Sequence, residues 1–237
     1  MKKLFATSAA AIALTAGLSA PTQADDLGIS LNAGLVSDYV FRGSQISGAG
    51  AYGGVDFEVA GFYAGAWVIQ DHGQTGDFGS TGIEYDGYLG YGLELENSFN
   101  FNVGYTNYSY SYTSNREDEV GGSIGFYGFA VSYFYGWNHV NKLCDGPGCD
   151  KDEVTAYQYY DVSWSGDYFG ALIGQKTVDT DKATEYSYFE LSTGGEVATL
   201  DVSVTYGRQF SVKEDGEDVG DSGSDYFVLD ISKSFSF

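Results

Sequence analysis

Hydrophobic and polar residues alternate with a period of two along much of the chain. In residues 27–42 the apolar side chains share one parity: Leu27, Ile29, Leu31, Ala33, Leu35, Tyr39 and Phe41. The other parity holds small, polar or charged residues, including Asp38 and Arg42. Because successive side chains of a strand point to opposite faces, this pattern predicts one long strand with an apolar face and a wet face.

The end of the chain has the same pattern. Phe227, Leu229, Ile231, Phe235 and Phe237 alternate with Tyr226, Val228, Asp230, Ser232, Ser234 and Ser236. A last amphipathic strand that ends in an aromatic residue resembles the C-terminal assembly signal of bacterial outer-membrane barrels. We therefore expect Phe237 to engage the barrel-assembly machinery. Lys233 falls on the apolar face, from which its long side chain can extend to the membrane interface.

Ten further segments show usable alternation: 51–60, 61–70, 82–93, 98–109, 119–127, 128–138, 154–164, 167–176, 184–193 and 197–210. With the first and last segments, this predicts twelve strands. Both faces carry aromatic residues in 61–70 and 184–193, so the register of these two strands stays open at this point.

The connections between these segments alternate between long and short. The long ones are 43–50, 70–81, 110–118, 138–153 and 213–223, with 177–183 intermediate, and the short ones are 60–61, 94–97, 127–128, 165–166 and 194–196. Short periplasmic turns and long outer loops are typical of outer-membrane barrels, whereas a soluble β-sandwich has no reason to sort its loops. The sequence therefore predicts an all-β fold, a transmembrane up-and-down antiparallel β-barrel of about twelve strands with both termini on the periplasmic side.

The first 24 residues have the features of a signal peptide. Lys2 and Lys3 precede an apolar run over 4–18, and small residues occupy the positions before a cleavage site after Ala24. The apolar run is shorter than the ~20 residues that a membrane-spanning helix needs. We expect residues 1–24 to be removed on export and residues 25–237 to form a single barrel domain.

Composition and charge agree with this interpretation. The chain has 34 Gly, 21 Tyr and 16 Phe against 2 Pro, which favours strands and tight turns. The formal net charge of −22 excludes nucleic acid as a partner, because binding to phosphates needs a basic surface.

Cys144 and Cys149 enclose four residues of a predicted outer loop. In an oxidising compartment this spacing favours a local disulfide bond. A metal site is the alternative, but two cysteines without a neighbouring pair of histidines are poor zinc ligands.

Charged residues of the wet faces are candidates for a lumen that selects ions: Asp38, Arg42, Asp56, Glu58, Glu84, Asp86, Asp161, Asp201 and Asp230. The simpler alternative is a solvated wall. A lumen rich in carboxylates favours cations. We expect Arg42 to pair with one or two of the acids at 38, 56, 84 and 86, and so to shape a constriction or to help plug the barrel.

Tyrosines also fall on the wet parity, namely Tyr88, Tyr108, Tyr110, Tyr157 and Tyr159. They could line the lumen as a track for sugars. We favour packing in the aromatic girdles and at the rim, where a ring with a polar tip suits the headgroup region.

A surface enzyme is a weak third possibility. The two histidines, His72 and His139, have acidic or hydroxyl neighbours such as Asp71 and Asp145, as a lipid hydrolase would need. Polar loops supply such neighbours by chance. We predict no enzymatic activity, no cofactor and no bound metal.

Three blocks of sequence resemble a known family. The run from Ser37 to Gln45 (SDYVFRGSQ), residues 61–67 (GFYAGAW) and residues 84–88 (EYDGY) resemble the opening motifs of the TorF-family porins of bacterial outer membranes, also called the Gcw_chp family. The resemblance implies an outer-membrane barrel with a porin role and names no solute.

Taken with the residue patterns, this predicts an outer-membrane channel for passive diffusion of small hydrophilic solutes, with a preference for cations. Outer-membrane lipids are its expected surroundings. The alternative function is a non-conducting structural or adhesion barrel, and the third is a lipid-modifying enzyme.

Overall fold

The computed structural model describes residues 27–71, 82–95, 98–141, 152–180, 184–214, 217–220 and 223–237. They form fifteen strands: β1 (Gly28–Val36), β2 (Tyr39–Phe41), β3 (Ser44–Ser47), β4 (Gly50–Val59), β5 (Phe62–Asp71), β6 (Gly82–Glu94), β7 (Phe99–Tyr110), β8 (Arg116–Phe126), β9 (Phe129–Asn141), β10 (Asp152–Ser165), β11 (Phe169–Val178), β12 (Glu185–Val197), β13 (Leu200–Glu214), β14 (Glu217–Gly220) and β15 (Asp225–Ser236). The described part of the chain has no helix long and apolar enough to cross a membrane.

Twelve of these strands close into a barrel. From β4 to β13 each strand pairs antiparallel with the next, and β13 pairs with β15, which pairs with β1. The pairing of β1 with β4 completes the ring. The predicted twelve-stranded antiparallel barrel is confirmed. The registers of β5 and β12, which the sequence left open, are continuous with their neighbours apart from one irregularity near Glu185.

The predicted first strand is too long. The barrel strand β1 ends at Val36, and Ser37 and Asp38 form a bend. Tyr39 to Ser47 then form a separate two-stranded hairpin of β2 and β3. Alternation alone could not reveal this break, because the hairpin continues the parity of β1.

Three connections at the short-turn end are two-residue turns whose residues both have positive φ. They are Ala60-Gly61, Tyr127-Gly128 and Ala198-Thr199. This is the geometry of type I′ turns, which match the twist of antiparallel strands. The turn predicted at 194–196 is therefore wrong: Gly194 and Glu196 lie within β12, opposite Ser203 and Asp201 of β13.

Lys233 lies among the outward-facing residues of β15, as predicted. Its Nζ donates a hydrogen bond to the carbonyl oxygen of Thr199 in the Ala198-Thr199 turn. The ammonium group therefore reaches the short-turn rim of the barrel.

Two sequence predictions lie outside the described residues. They are the signal peptide over 1–24 and the disulfide bond between Cys144 and Cys149. Both stay predictions.

Candidate functional site in the barrel lumen

The alternation along each strand separates the inside of the barrel from its outside. Outward side chains such as Leu35, Leu89 and Phe227 are about 60% exposed. Their inward neighbours Tyr88, Tyr226 and Val228 are buried. The lumen is thus lined by one parity of every strand, as strand geometry requires.

A hairpin from the first long loop folds into this lumen. The two residues at its tip, Arg42 and Gly43, have φ of 46° and 79°, which again matches a type I′ turn. Val40 has no exposed surface. A side chain at position 43 would collide with the ring of Tyr188 on β12, so only glycine fits there.

Arg42 fastens the hairpin tip to the far wall. Its Nη1 and Nη2 donate to the two carboxylate oxygens of Glu119 on β8, at 2.6 and 2.8 Å. Its guanidinium also lies over three rings, those of Phe41 at 4.7 Å, Phe134 at 3.9 Å and Tyr159 at 4.6 Å. A bidentate pair of this kind, largely shielded from water, is among the stronger polar contacts in proteins.

The prediction for the partner of Arg42 was therefore wrong. Its partner is Glu119, and not the acids at positions 38, 56, 84 or 86. Asp38 is half-buried at the base of the hairpin and accepts a hydrogen bond from Gln45 Nε2 at 2.9 Å. The sequence misplaced both residues because it assigned them to the barrel wall.

The near side of the hairpin contacts β5 and β6. The hydroxyl of Tyr39 donates to Glu84 Oε1 at 2.8 Å. The ring of Tyr39 lies 6.1 Å from that of Trp67, centroid to centroid. With Arg42 held at β8, the hairpin therefore spans the bore between two walls.

The remaining predicted lumen acids belong to the inner wall. Asp56 accepts hydrogen bonds from Tyr88 and, at 3.4 Å, from Ser30 and Asn32. Asp230 accepts a bond from Tyr52 at 2.8 Å. The other predicted acids share the inward parity of their strands: Glu58 on β4, Glu84 and Asp86 on β6, Asp161 on β10 and Asp201 on β13.

Sequence reasoning missed four charged residues of the inner wall: Glu117, Glu119, Lys176 and Glu190. Glu117 had been assigned to a loop, and Glu119 to the first position of a strand. The inward parity of Gly121 and Ser123, extended back along β8, would have found both. Glu190 lies in β12, where aromatic residues on both faces obscured the parity; it accepts a bond from Tyr226 at 2.9 Å.

The tyrosines on the wet parity line the lumen, which corrects the predicted placement in the girdles. Tyr88, Tyr108, Tyr157 and Tyr159 are at least nine-tenths buried, and Tyr110 is half-buried. Phe41 of the hairpin packs edge-on against Tyr108 and Tyr159, at 5.7 and 6.4 Å between ring centroids. Their role as a sugar track is untested.

His139 lies on the outer face of β9. Its Nε2 is 3.1 Å from Asp118 Oδ2, which also pairs with Arg116. Asn138, the next residue in the chain, instead reaches Glu117 on the inner face, at 3.4 Å. His139 and Asn138 therefore lie on opposite faces of the barrel wall. His72 and Asp145 lie outside the described residues. Among the described residues, no three His, Cys, Asp or Glu side chains could hold a metal ion together.

A family model described as "Bacterial protein of unknown function (Gcw_chp)" matches residues 20–235. The chain belongs to the Gcw_chp family. No curated protein matches this sequence.

Solved outer-membrane channels share the fold of this Gcw_chp protein. A KdgM porin is 10% identical, with a TM-score of 0.51 over 88% of this chain and 99% of that chain. KdgM in complex with disordered oligogalacturonate gives the same values. The COG4313 outer membrane channel from Pseudomonas putida F1 is 11% identical, with a TM-score of 0.54 over 92% of this chain and 98% of that one. At such low identity the likeness concerns the fold alone.

Proposed function

We propose that this Gcw_chp protein is a passive channel of the outer membrane for small hydrophilic solutes. The observation that carries the proposal is a closed barrel whose polar lumen is crossed by a hairpin pinned at its tip. A hairpin that narrows the bore sets the size of solute that passes. The same fold serves channels in the KdgM porin and the COG4313 protein.

The two halves of the lumen differ in a way that suits a channel. The half near the short turns is lined by small polar side chains: Ser30, Asn32, Asn100, Ser123, Ser132, Ser163, Ser192 and Ser232. The half near the long loops holds the hairpin and the buried tyrosines. In this proposal the first half forms the polar vestibule, and the second half forms the constriction.

The lumen favours cations. Inward-facing acids among the described residues include Asp56, Glu58, Glu84, Asp86, Glu117, Glu119, Asp161, Glu190, Asp201 and Asp230, against the bases Arg42 and Lys176. Arg42 is neutralised by Glu119. Low-dielectric walls focus the field of the remaining carboxylates, and screening at physiological salt acts over about 8 Å, comparable with a narrow bore.

The outer face of the barrel indicates which lipids surround the protein. A continuous apolar exterior is suited to outer-membrane lipids. Export through a signal peptide cleaved after Ala24, and assembly through the last strand ending at Phe237, belong to the same proposal.

A plugged structural barrel is the second candidate. The observation that favours it is the complete burial of Val40, which shows how closely the hairpin packs in the lumen. Conductance separates the two candidates, because a plugged barrel passes no current.

The test measures single-channel conductance and reversal potential in a salt gradient for the wild type, Arg42→Ala and Glu119→Gln. Arg42→Ala removes the contact that holds the hairpin tip, and Glu119→Gln replaces its ion pair with a weaker neutral hydrogen bond, so both should raise conductance. Their charge changes are opposite: Arg42→Ala should strengthen the cation preference, and Glu119→Gln should weaken it. The shifts in reversal potential should shrink as salt rises.

The controls make the result decisive. The double variant Arg42→Ala with Glu119→Ala leaves no unpaired buried charge, and should keep the higher conductance with a nearly wild-type reversal potential. An anion-selective wild type would contradict the electrostatic part of the proposal. A folded wild type and variants without any conductance would favour the plugged barrel.

A further inference from the structure

The lumen surrounds its own basic side chains with aromatic rings and a carboxylate. Arg42 has this environment, with three rings and Glu119. Lys176 has it too: its Nζ lies 5.7–5.8 Å from the ring centroids of Tyr157, Tyr159 and Tyr186, and Glu117 is near enough to interact with it electrostatically. Cation–π contacts and a carboxylate together suit a cation shielded from water.

A third environment of the same kind lies on β6 and β7. Glu84 and Asp86 are two residues apart on the inner face of β6. In the register of the sheet, Tyr110 lies opposite Glu84, and Tyr108 lies opposite Asp86. On the side of the hairpin, the hydroxyl of Tyr39 donates a hydrogen bond to Glu84.

Asp86 has no hydrogen-bond partner in this group. It is 3% exposed, and neither of its buried carboxylate oxygens receives a hydrogen bond from the described residues. Thr106, diagonal to Asp86 across β6 and β7 and 1% exposed, also has a γ-oxygen without a partner. No Lys, Arg or His of the described residues forms an ion pair with Asp86.

The negative charges around Asp86 favour the binding of a cation. Glu84 and Glu117 both act on Asp86 with the same sign of charge. A buried carboxylate is strongly unfavourable unless a positive group or several donors meet it. The described residues supply neither to Asp86, so a bound cation would stabilise its charged form.

The side chains around Asp86 suit an ammonium group better than a metal ion. A metal ion needs several converging oxygen or nitrogen ligands, and no three acidic, His or Cys side chains of the described residues converge in that way. An ammonium group instead needs a few hydrogen-bond acceptors and favours aromatic faces. Asp86 and Thr106 supply acceptors, and Tyr108 and Tyr110 are the aromatic residues that lie opposite Asp86 and Glu84.

We propose that Asp86, with Glu84 beside it, binds an ammonium group inside the lumen. The group belongs to the free ammonium ion or to a small organic amine. The inference rests on the proposed channel function for how the ligand arrives, and it names a class of solute for that channel. The buried indole nitrogen of Trp67 lies opposite Asp86, has no acceptor among the described residues and can donate a hydrogen bond to a hydroxyl or a water beside the amine.

Trp67 also provides the measurement. The chain has three tryptophans, so a background with Trp137→Phe and Trp164→Phe leaves Trp67 as the only one. The folded protein in detergent is titrated at constant ionic strength with ammonium, propylammonium, potassium and, as a neutral compound, glycerol. Saturable fluorescence changes are expected for ammonium or propylammonium, with potassium at least about tenfold weaker because it cannot donate hydrogen bonds.

The two amine probes distinguish the sources of the group. Saturation with ammonium alone identifies the free ion, and saturation with propylammonium identifies an organic amine. Asp86→Asn and Glu84→Gln keep the side-chain shapes and should weaken binding by about tenfold or more. Asp118→Asn removes the same charge from the outer face of the wall, and should leave the affinity within about twofold.

The shift of the folded band on unheated gels establishes that each variant has formed the barrel. Equal affinity in Asp86→Asn and the wild type would overturn the proposal, and so would saturation by potassium or glycerol at the same concentrations. The titration needs no current. Saturable amine binding in a barrel that does not conduct would therefore retain the site and reject the channel, and a conducting barrel without amine binding would do the reverse.

Discussion

Tyrosine rings lie against glycines of the neighbouring strand at several places in the lumen wall. The pairs are Gly34 with Tyr52, Gly65 with Tyr88, Gly136 with Tyr157, Gly174 with Tyr188, and Gly207 with Tyr226. In each pair the register sets the two residues directly opposite. A Cβ on any of these glycines would run into the ring, so glycine makes room for the tyrosine to cover the sheet.

We expect Gly207→Ala to destabilise the barrel by about 1–3 kcal/mol, because the added methyl group forces the ring of Tyr226 out of its place. Gly87→Ala is the matched control, since a Cβ there meets no atom within 4 Å. Urea unfolding followed by tryptophan fluorescence measures both. Equal stability of the two variants would show that the ring adjusts without cost.

At the residue scale, parity was enough to predict the position of the lumen acids but not that of the tyrosines. Alternation placed Asp56, Glu84, Asp86, Asp201 and Asp230 on the inner wall. It also placed Tyr88, Tyr108, Tyr110, Tyr157 and Tyr159 on the wet parity, yet packing in the aromatic girdles was the favoured interpretation. Side-chain chemistry alone does not decide between an interface and a lumen, because a ring with a polar tip suits both.

At the scale of elements, two turns of the same type carry different sequences. Ala60-Gly61 has glycine at its second position, whereas Ala198-Thr199 has a β-branched residue there, with φ of 72°. A β-branched residue in the left-handed region is strained.

We therefore expect Thr199→Gly to stabilise the barrel by about 1 kcal/mol, because it relieves this strain. Gly61→Thr is the reverse exchange and should destabilise by more, since a Cβ there lies 2.7 Å from the carbonyl oxygen of Gly92. Midpoints of urea unfolding measure the pair. A stabilised Gly61→Thr would refute the argument from backbone conformation.

The hairpin is the element that sequence reasoning could not find. Tyr39 and Phe41 continue the apolar parity of β1, which predicts lipid-facing side chains. In the structure Tyr39 binds Glu84, and Phe41 packs on Tyr108. Only the partners across the lumen distinguish an inserted hairpin from a longer strand, and those partners lie 45 to 77 residues away along the chain.

At the scale of the whole molecule, the ends of the barrel have different connections. The short-turn end holds the two-residue turns, and the other end holds the longer loops. If the barrel spans the outer membrane as proposed, the short-turn end faces the periplasm.

This orientation predicts the result of epitope insertion. A tag between Ser114 and Asn115, in the described loop at the long-loop end, should bind antibody on intact cells. A tag between Ala198 and Thr199 should bind only after the outer membrane is permeabilised. Labelling of the second site on intact cells would reverse the proposed topology.

The sequence by itself determined the strand number, the barrel class and most of the lumen-facing residues. Each of these follows from local rules: the period of two along a strand, the lengths of connections and the parity of acids. Only the tertiary structure decided that residues 39–47 enter the bore, that Arg42 pairs with Glu119, and that Asp86 is buried without a hydrogen-bond partner among the described residues. These depend on side chains brought together across the closed ring, because closure sets which strands face each other, and no local pattern encodes that.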